Sequence, residues 1–218
     1  LYLWRRVLYR WGVKPKMQLW FSYFYIWRLT WWNTYNNEGD CCYKQQFPRI
    51  HQYEYKITKT PKKAKQPTST DPGAIGVDVN GVPIFDPFIQ GPLNPKTGKR
   101  PHTLYQGELD VCGGRAGRGD DYHYQIAPIC LIGELGETYI DQMKRPIGYA
   151  TDGFPIHSLG WFNKPNEVED KLDEYRGMLD EKGSYFYNVM RNESWSVLDC
   201  FTGEPQKISK DKWTYRQD

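Results

Sequence analysis

Residues 77–85, Val77-Asp78-Val79-Asn80-Gly81-Val82-Pro83-Ile84-Phe85, set an Asn-Gly pair between two apolar runs. Asn and Gly tolerate the two positive φ angles of a type I′ turn, so the stretch predicts a tight β-hairpin. Asp86-Pro87 ends the second strand, because proline has no N–H to give a ladder. Residues 146–157 repeat the logic, with Asp152-Gly153 between apolar flanks. Residues 122–126 alternate like a short strand, and 185–189 read as another. One helix is predicted at 167–176, where Val168, Leu172 and Tyr175 share a face and Gly177 supplies a stop. Residues 91–120 are loop-like, and the tail from Thr202 is polar. No repeat with solenoid spacing is present. The fold class that follows is mostly β with long loops and one or two short helices.

The chain has 218 residues and a net charge of +3, which conceals a division. Residues 1–66 carry 13 Lys and Arg against three acids, a balance of +10, whereas the remainder stands at −7. Six of the nine Trp fall in the first 32 residues: Trp4, Trp11, Trp20, Trp27, Trp31 and Trp32, interleaved with arginines such as Arg28. Three organisational units follow: a basic Trp/Tyr-rich arm at 1–55, a Lys/Pro/Thr-rich linker or strap at 56–73, and a β-rich domain at 74–218. Trp, Tyr and Arg dominate protein–protein hot spots, so the arm is read as a docking segment for other subunits or for self-assembly. A membrane interface is a second expectation for it, and nucleic acid is the least favoured. Mean hydropathy is −0.76, and the aromatic run at 17–32 contains Arg28. A bilayer span needs about 20 apolar residues, so none is expected here.

From about Gly73 onward the chain resembles the YHYH-domain family of secreted or cell-surface proteins. The stretches that carry the resemblance are GVDVNGVPIFDPF, GELDVCGGRAGRGDDYHYQIAPICL, RPIGYATDGFPIH, GSYFYNV and CFTG. It implies an extracellular, periplasmic or cell-surface protein but no established activity. Family members show Gly-Gly-His where this chain has Gly113-Gly114-Arg115, and Tyr-His-Tyr-His where it has Tyr122-His123-Tyr124-Gln125. Residues i and i+2 of a strand point to one face, so paired histidines there would converge on a ligand, and imidazole suits transition metals. Arg115 and Gln125 are departures from that pattern. The resemblance also makes Cys112–Cys130 the first-choice disulfide, with Cys200 a rival partner and Cys41 and Cys42 expected to have different fates.

Only four His are present, at 51, 102, 123 and 157. The candidate metal set is therefore His123, His157, Asp110, Asp121 and Asp152, for a transition metal or Ca²⁺. The competing expectation is that His123 bonds a buried carboxylate while Arg115 or Arg118 pairs with an acid. There is no Gly-x-Ser-x-Gly elbow, His-Glu-x-x-His, Walker A or Gly-x-Gly-x-x-Gly pattern. The reading is a non-catalytic binding or structural subunit of an exported assembly, with a degenerate His-based metal site. Its rivals are a metal-dependent enzyme or metal-binding protein using His123 and His157, and a carbohydrate-binding module.

Overall fold

The computed structural model describes residues 55–70, 73–89, 93–116, 122–163 and 165–206. The arm residues Trp4, Trp11, Trp20, Trp27, Arg28, Trp31 and Trp32 lie outside that set, as do Asp121, Cys41 and Cys42. In chain order the elements are β1 (Lys63–Ser69), β2 (Ala74–Asp78), β3 (Pro83–Phe85), β4 (Gly114–Ala116), β5 (Tyr122–Tyr124), α1 (Ile129–Glu137), β6 (Gly148–Ala150), β7 (Pro155–His157), α2 (Pro165–Glu169), β8 (Gly177–Leu179), β9 (Tyr185–Asn188) and β10 (Cys200–Gly203). The protein is mostly β. Strands β1 and β10 form a two-stranded sheet, and the other eight form a second sheet in the order β4-β5-β3-β2-β6-β7-β9-β8.

Both predicted hairpins form, but neither turn is type I′. Gly81 and Gly153 have φ of 88° and 93°, whereas Asn80 and Asp152 keep negative φ. The Asp78 N–H donates to Val82 O at 2.9 Å and the Gly81 N–H to Asp78 O at 3.0 Å, closing a three-residue loop. Such loops need one left-handed residue instead of two. The loop at 150–154 closes in the same way with Ala150 at its start; in the first loop the side chain adds to this, Asp78 Oδ1 accepting the N–H groups of Asn80 and Val82, each at 2.8 Å. A carboxylate bonded to amides two and four residues on substitutes for backbone pairing that the loop cannot make.

The same clasp recurs at three further places. Asp110 Oδ1 accepts from Cys112 N and Gly114 N, Asp173 Oδ1 from Tyr175 N and Gly177 N, and Asp180 Oδ1 from Lys182 N and Ser184 N. In each the Asp N–H bonds the carbonyl four residues on. Positive φ falls at the fourth residue of every clasp, on Gly81, Gly113, Arg176 and Gly183. Arg176 holds that conformation although it carries a side chain, and its guanidinium is tied to Glu193 at 3.0 Å and Asp199 at 2.9 Å.

The eight-stranded sheet is built from two matching halves. Read from its centre outward, β2-β3-β5-β4 and β6-β7-β9-β8 give the same succession: an antiparallel hairpin, a parallel neighbour (β3 with β5, β7 with β9), then an antiparallel edge strand. The central pairing Gly76↔Ala150, Val77↔Tyr149 and Asp78↔Gly148 is itself symmetric, so an approximate two-fold axis passes between Val77 and Tyr149. Ile75 and Ile84 in one half match Ile147 and Ile156 in the other, all four buried. Each such side chain contributes about 1.5–3 kcal/mol.

Other expectations are corrected. The helix predicted at 167–176 is only Pro165–Glu169, because the Asp173 clasp turns the chain into β8. Helix α1 and the π-type turn Thr138–Gln142 were not anticipated; they bury Leu131, Ile132 and Ile140. Strand β10 runs into the start of the polar tail and pairs with β1 inside the segment read as a strap. Cys112 and Cys130 form the disulfide, joining the Asp110 loop to α1, and a loop of that length is worth about 3 kcal/mol in the entropy model.

Glycines at the edge strands make the clasps dense. A Cβ on Gly114 would overlap the hydroxyl of Tyr122, and one on Gly177 would overlap that of Tyr185. Gly114→Ala and Gly177→Ala are each expected to lower stability by about 1–3 kcal/mol, measured by urea unfolding. No change in midpoint would contradict the packing described.

Candidate functional site

Strand β5 alternates. Tyr122 and Tyr124 point to one face, and His123 points to the other with Arg115 directly across from it on β4. Gln125 continues the His123 face. The fold therefore brings together the three positions, 115, 123 and 125, where the YHYH resemblance implies histidine. Each side chain there has a structural occupation. His123 is 3% exposed and stacks on Phe85, with ring centroids 4.0 Å apart. Arg115 forms an ion pair with Glu108. Gln125 Nε2 donates to Asp86 O at 3.2 Å.

The two-fold relation gives this cluster a counterpart. Asn188 occupies the place of Gln125; its Oδ1 accepts from Leu159 N at 2.7 Å, and its Nδ2 donates to Leu159 O at 3.2 Å. Phe186 takes the place of His123 and His157 that of Phe85, with their rings 4.8 Å apart. Each half thus holds one imidazole against one phenyl ring, with the two contributed from opposite strands.

The five residues proposed as a metal set are not assembled. Asp121 lies outside the described residues. Asp110 serves the clasp with one oxygen and accepts the Tyr122 hydroxyl with the other at 2.8 Å, on the sheet face opposite His123. Asp152 belongs to the other half, where Oδ2 accepts from Tyr187 OH at 2.6 Å and from Gly203 N at 3.0 Å. Thr202 N in turn donates to Tyr187 OH at 2.8 Å, so β10 is fastened to β9 through Tyr187 and to the β6–β7 hairpin through Asp152. Among the described residues no group of three or more His, Cys, Asp and Glu side chains is arranged to hold a metal ion.

Sequence reasoning missed the Asp–Tyr pairs. Asp110 with Tyr122 and Asp173 with Tyr185 are each 12 residues apart, and each Tyr hydroxyl donates to its Asp at 2.8 and 2.9 Å. Comparing the chain with itself, IGVDVNGVPIF at 75–85 against IGYATDGFPIH at 147–157, would have exposed the duplication.

Burial sets the electrostatics. Desolvation raises Asp110 and Asp152 despite their hydrogen bonds. It lifts Asp78 to about 7, against the lowering effect of backbone amides at Val82, Asn80 and Gly81. Asp78 Oδ2 is buried with no hydrogen-bond partner among the described residues. Burial lowers His157 to about 4, outweighing the attraction of Asp180. His157 is therefore a neutral ring at physiological pH.

A β-rich domain whose loops are closed by recurring Asp clasps is the class this geometry defines. Residues 54–169, just over half of the chain, match the family model described as YHYH protein, and the chain belongs to that family. The match begins ahead of β1, earlier than the Gly73 at which the resemblance was placed, and ends in α2. No curated protein and no solved structure matches the chain. No helix among the described residues is long and apolar enough to cross a membrane.

Asp78 yields a pH test. Its folded value near 7 lies above the unfolded 3.8, so its contribution to stability is complete below 3.8 and is lost as pH rises through 7. Asp78→Asn is expected to raise the melting temperature relative to wild type more at about pH 8 than at about pH 5. A difference independent of pH would show that Asp78 does not titrate in this window.

Proposed function

We propose that this chain is a non-catalytic binding or structural subunit of an exported assembly, carrying a His-based metal site that has lapsed. The observation that supports this most directly is the 115/123/125 cluster. Arg115 brings a cationic guanidinium, already paired with Glu108, to the place where a metal cation would sit. Gln125 offers a neutral amide that is fastened to Asp86 O. Imidazole is the favoured ligand for Zn, Cu, Fe and Ni, and one imidazole alone does not make a site.

The Cys112–Cys130 disulfide is compatible with an oxidising compartment. By composition, the Trp/Arg-rich arm at 1–55 supplies the residue types of a protein docking surface.

Calorimetric titration with Zn²⁺ and Cu²⁺ tests the reading. Wild type is expected to bind weakly and substoichiometrically. The double variant Arg115→His/Gln125→His, which sets three imidazoles on neighbouring strand positions, is expected to bind one ion at least about a hundredfold more tightly. Equal, tight, stoichiometric binding by both proteins would overturn the proposal in favour of a working metal protein.

A further inference from the structure

A cleft of about 450 Å³ lies between β1 and the β8 edge of the large sheet, lined by Lys63, Lys171, Asp173, Met178, Leu179 and Tyr185. Its one carboxylate, Asp173, keeps its charge while accepting from two backbone amides and from the Tyr185 hydroxyl. The two ammonium groups outnumber it, so the lining is net positive by one charge. The surrounding strap reinforces it: residues 55–70 hold five lysines and no acid. Lys63 stands over the Tyr185 ring, with Nζ 5.3 Å from the centroid. The ring is buried beneath it, so no open aromatic face is presented for a sugar to stack on.

The backbone of the edge narrows the occupant further. Asn188 N–H donates to Arg176 O at 2.8 Å, so Arg176 and Met178 face β9 while Gly177 and Leu179 turn their N–H and C=O outward. Asp173 plugs the outward groups of Gly177, its N–H bonding Gly177 O at 2.8 Å and its carboxylate accepting Gly177 N–H at 2.9 Å. Leu179 keeps its outward groups unpaired among the described residues, and its side chain is 60% exposed. An unpaired edge with main-chain donors and acceptors is where an extended peptide adds as a strand.

We propose that this cleft receives an extended acidic peptide, laid as a short added strand against Leu179. An acidic side chain meets the Lys63 and Lys171 ammonium groups, and an apolar one covers Met178 and Leu179. The proposal rests on the reading of the chain as a binding subunit and supplies that reading's partner chemistry.

The test is fluorescence anisotropy on the full chain with a labelled peptide of alternating glutamate and valine, beside its lysine–valine counterpart and a glutamate–proline peptide that lacks strand donors. Saturable binding of the glutamate–valine peptide alone is expected, weakening as salt rises from about 0.05 M to about 0.5 M. Lys63→Glu/Lys171→Glu, at two exposed positions, is expected to weaken it at least about tenfold. Leu179→Pro removes an outward N–H that an edge strand can spare, so the fold should persist while binding is lost.

Absence of binding, or binding indifferent to both sets of substitutions, overturns the proposal. Equal binding of the glutamate–proline peptide overturns the added strand by showing attraction to the basic strap alone. The metal titration involves none of these residues, so this inference and the reading beneath it can fail separately.

Discussion

A carboxylate oxygen that accepts two amide hydrogens from the loop it begins is the constraint on which the rest of this structure depends. Asp78, Asp110, Asp173 and Asp180 each close such a loop. Two of them also fix a tyrosine on the neighbouring strand. Val82 N–H is buried and those of Cys112, Gly114 and Gly177 are half-buried, and a buried amide without a partner costs about 1–3 kcal/mol. The clasps of Asp110 and Asp173 also sit at the two outer strands, where they occupy main-chain groups of Gly114 and Gly177 that another chain would otherwise pair with. Local chemistry, strand register and sheet edges are thereby settled by the same side chains.

That arrangement bears on function. Acids in Gly-rich loops suggested ligands, yet the oxygens of Asp110 and Asp152 are engaged within the fold. The histidines follow suit. His123 lies flat on Phe85, and His157 is a half-buried neutral ring against Phe186. The approximate two-fold makes this intelligible: equivalent positions carry histidine in one half and phenylalanine in the other, so both are accepted as ring-shaped packing elements. The polar residues hold the sheet together.

Much of the fold was legible in the sequence, because the hairpin signals are local. Asn80-Gly81 and Asp152-Gly153 marked the two central turns, and alternation marked β5 and β9. The turn type differs because both hairpins close three-residue loops, which ask for one left-handed residue only, at Gly81 and Gly153. The helix at 167–176 was overextended for a related reason: Val168, Leu172 and Tyr175 show helical spacing, but the Asp173 carboxylate captures the amides of Tyr175 and Gly177. Strand β10 was hidden because Thr202 and Gly203 are polar or featureless in sequence, and their burial depends on the distant Asp152 and Tyr187. The site was legible only in part. The 115/123/125 grouping follows from strand alternation and a hairpin, whereas the separation of Asp110 from His123 across the sheet requires the register.

The most direct test of the central claim is a double-mutant cycle on Asp110→Ala and Tyr122→Phe, followed by urea unfolding. If these carboxylates are clasps, the single changes will each destabilise the protein and couple by about 1 kcal/mol or more. Additive effects, or a protein whose stability is untouched by removing Asp110, would contradict the account and leave these acids available for chemistry.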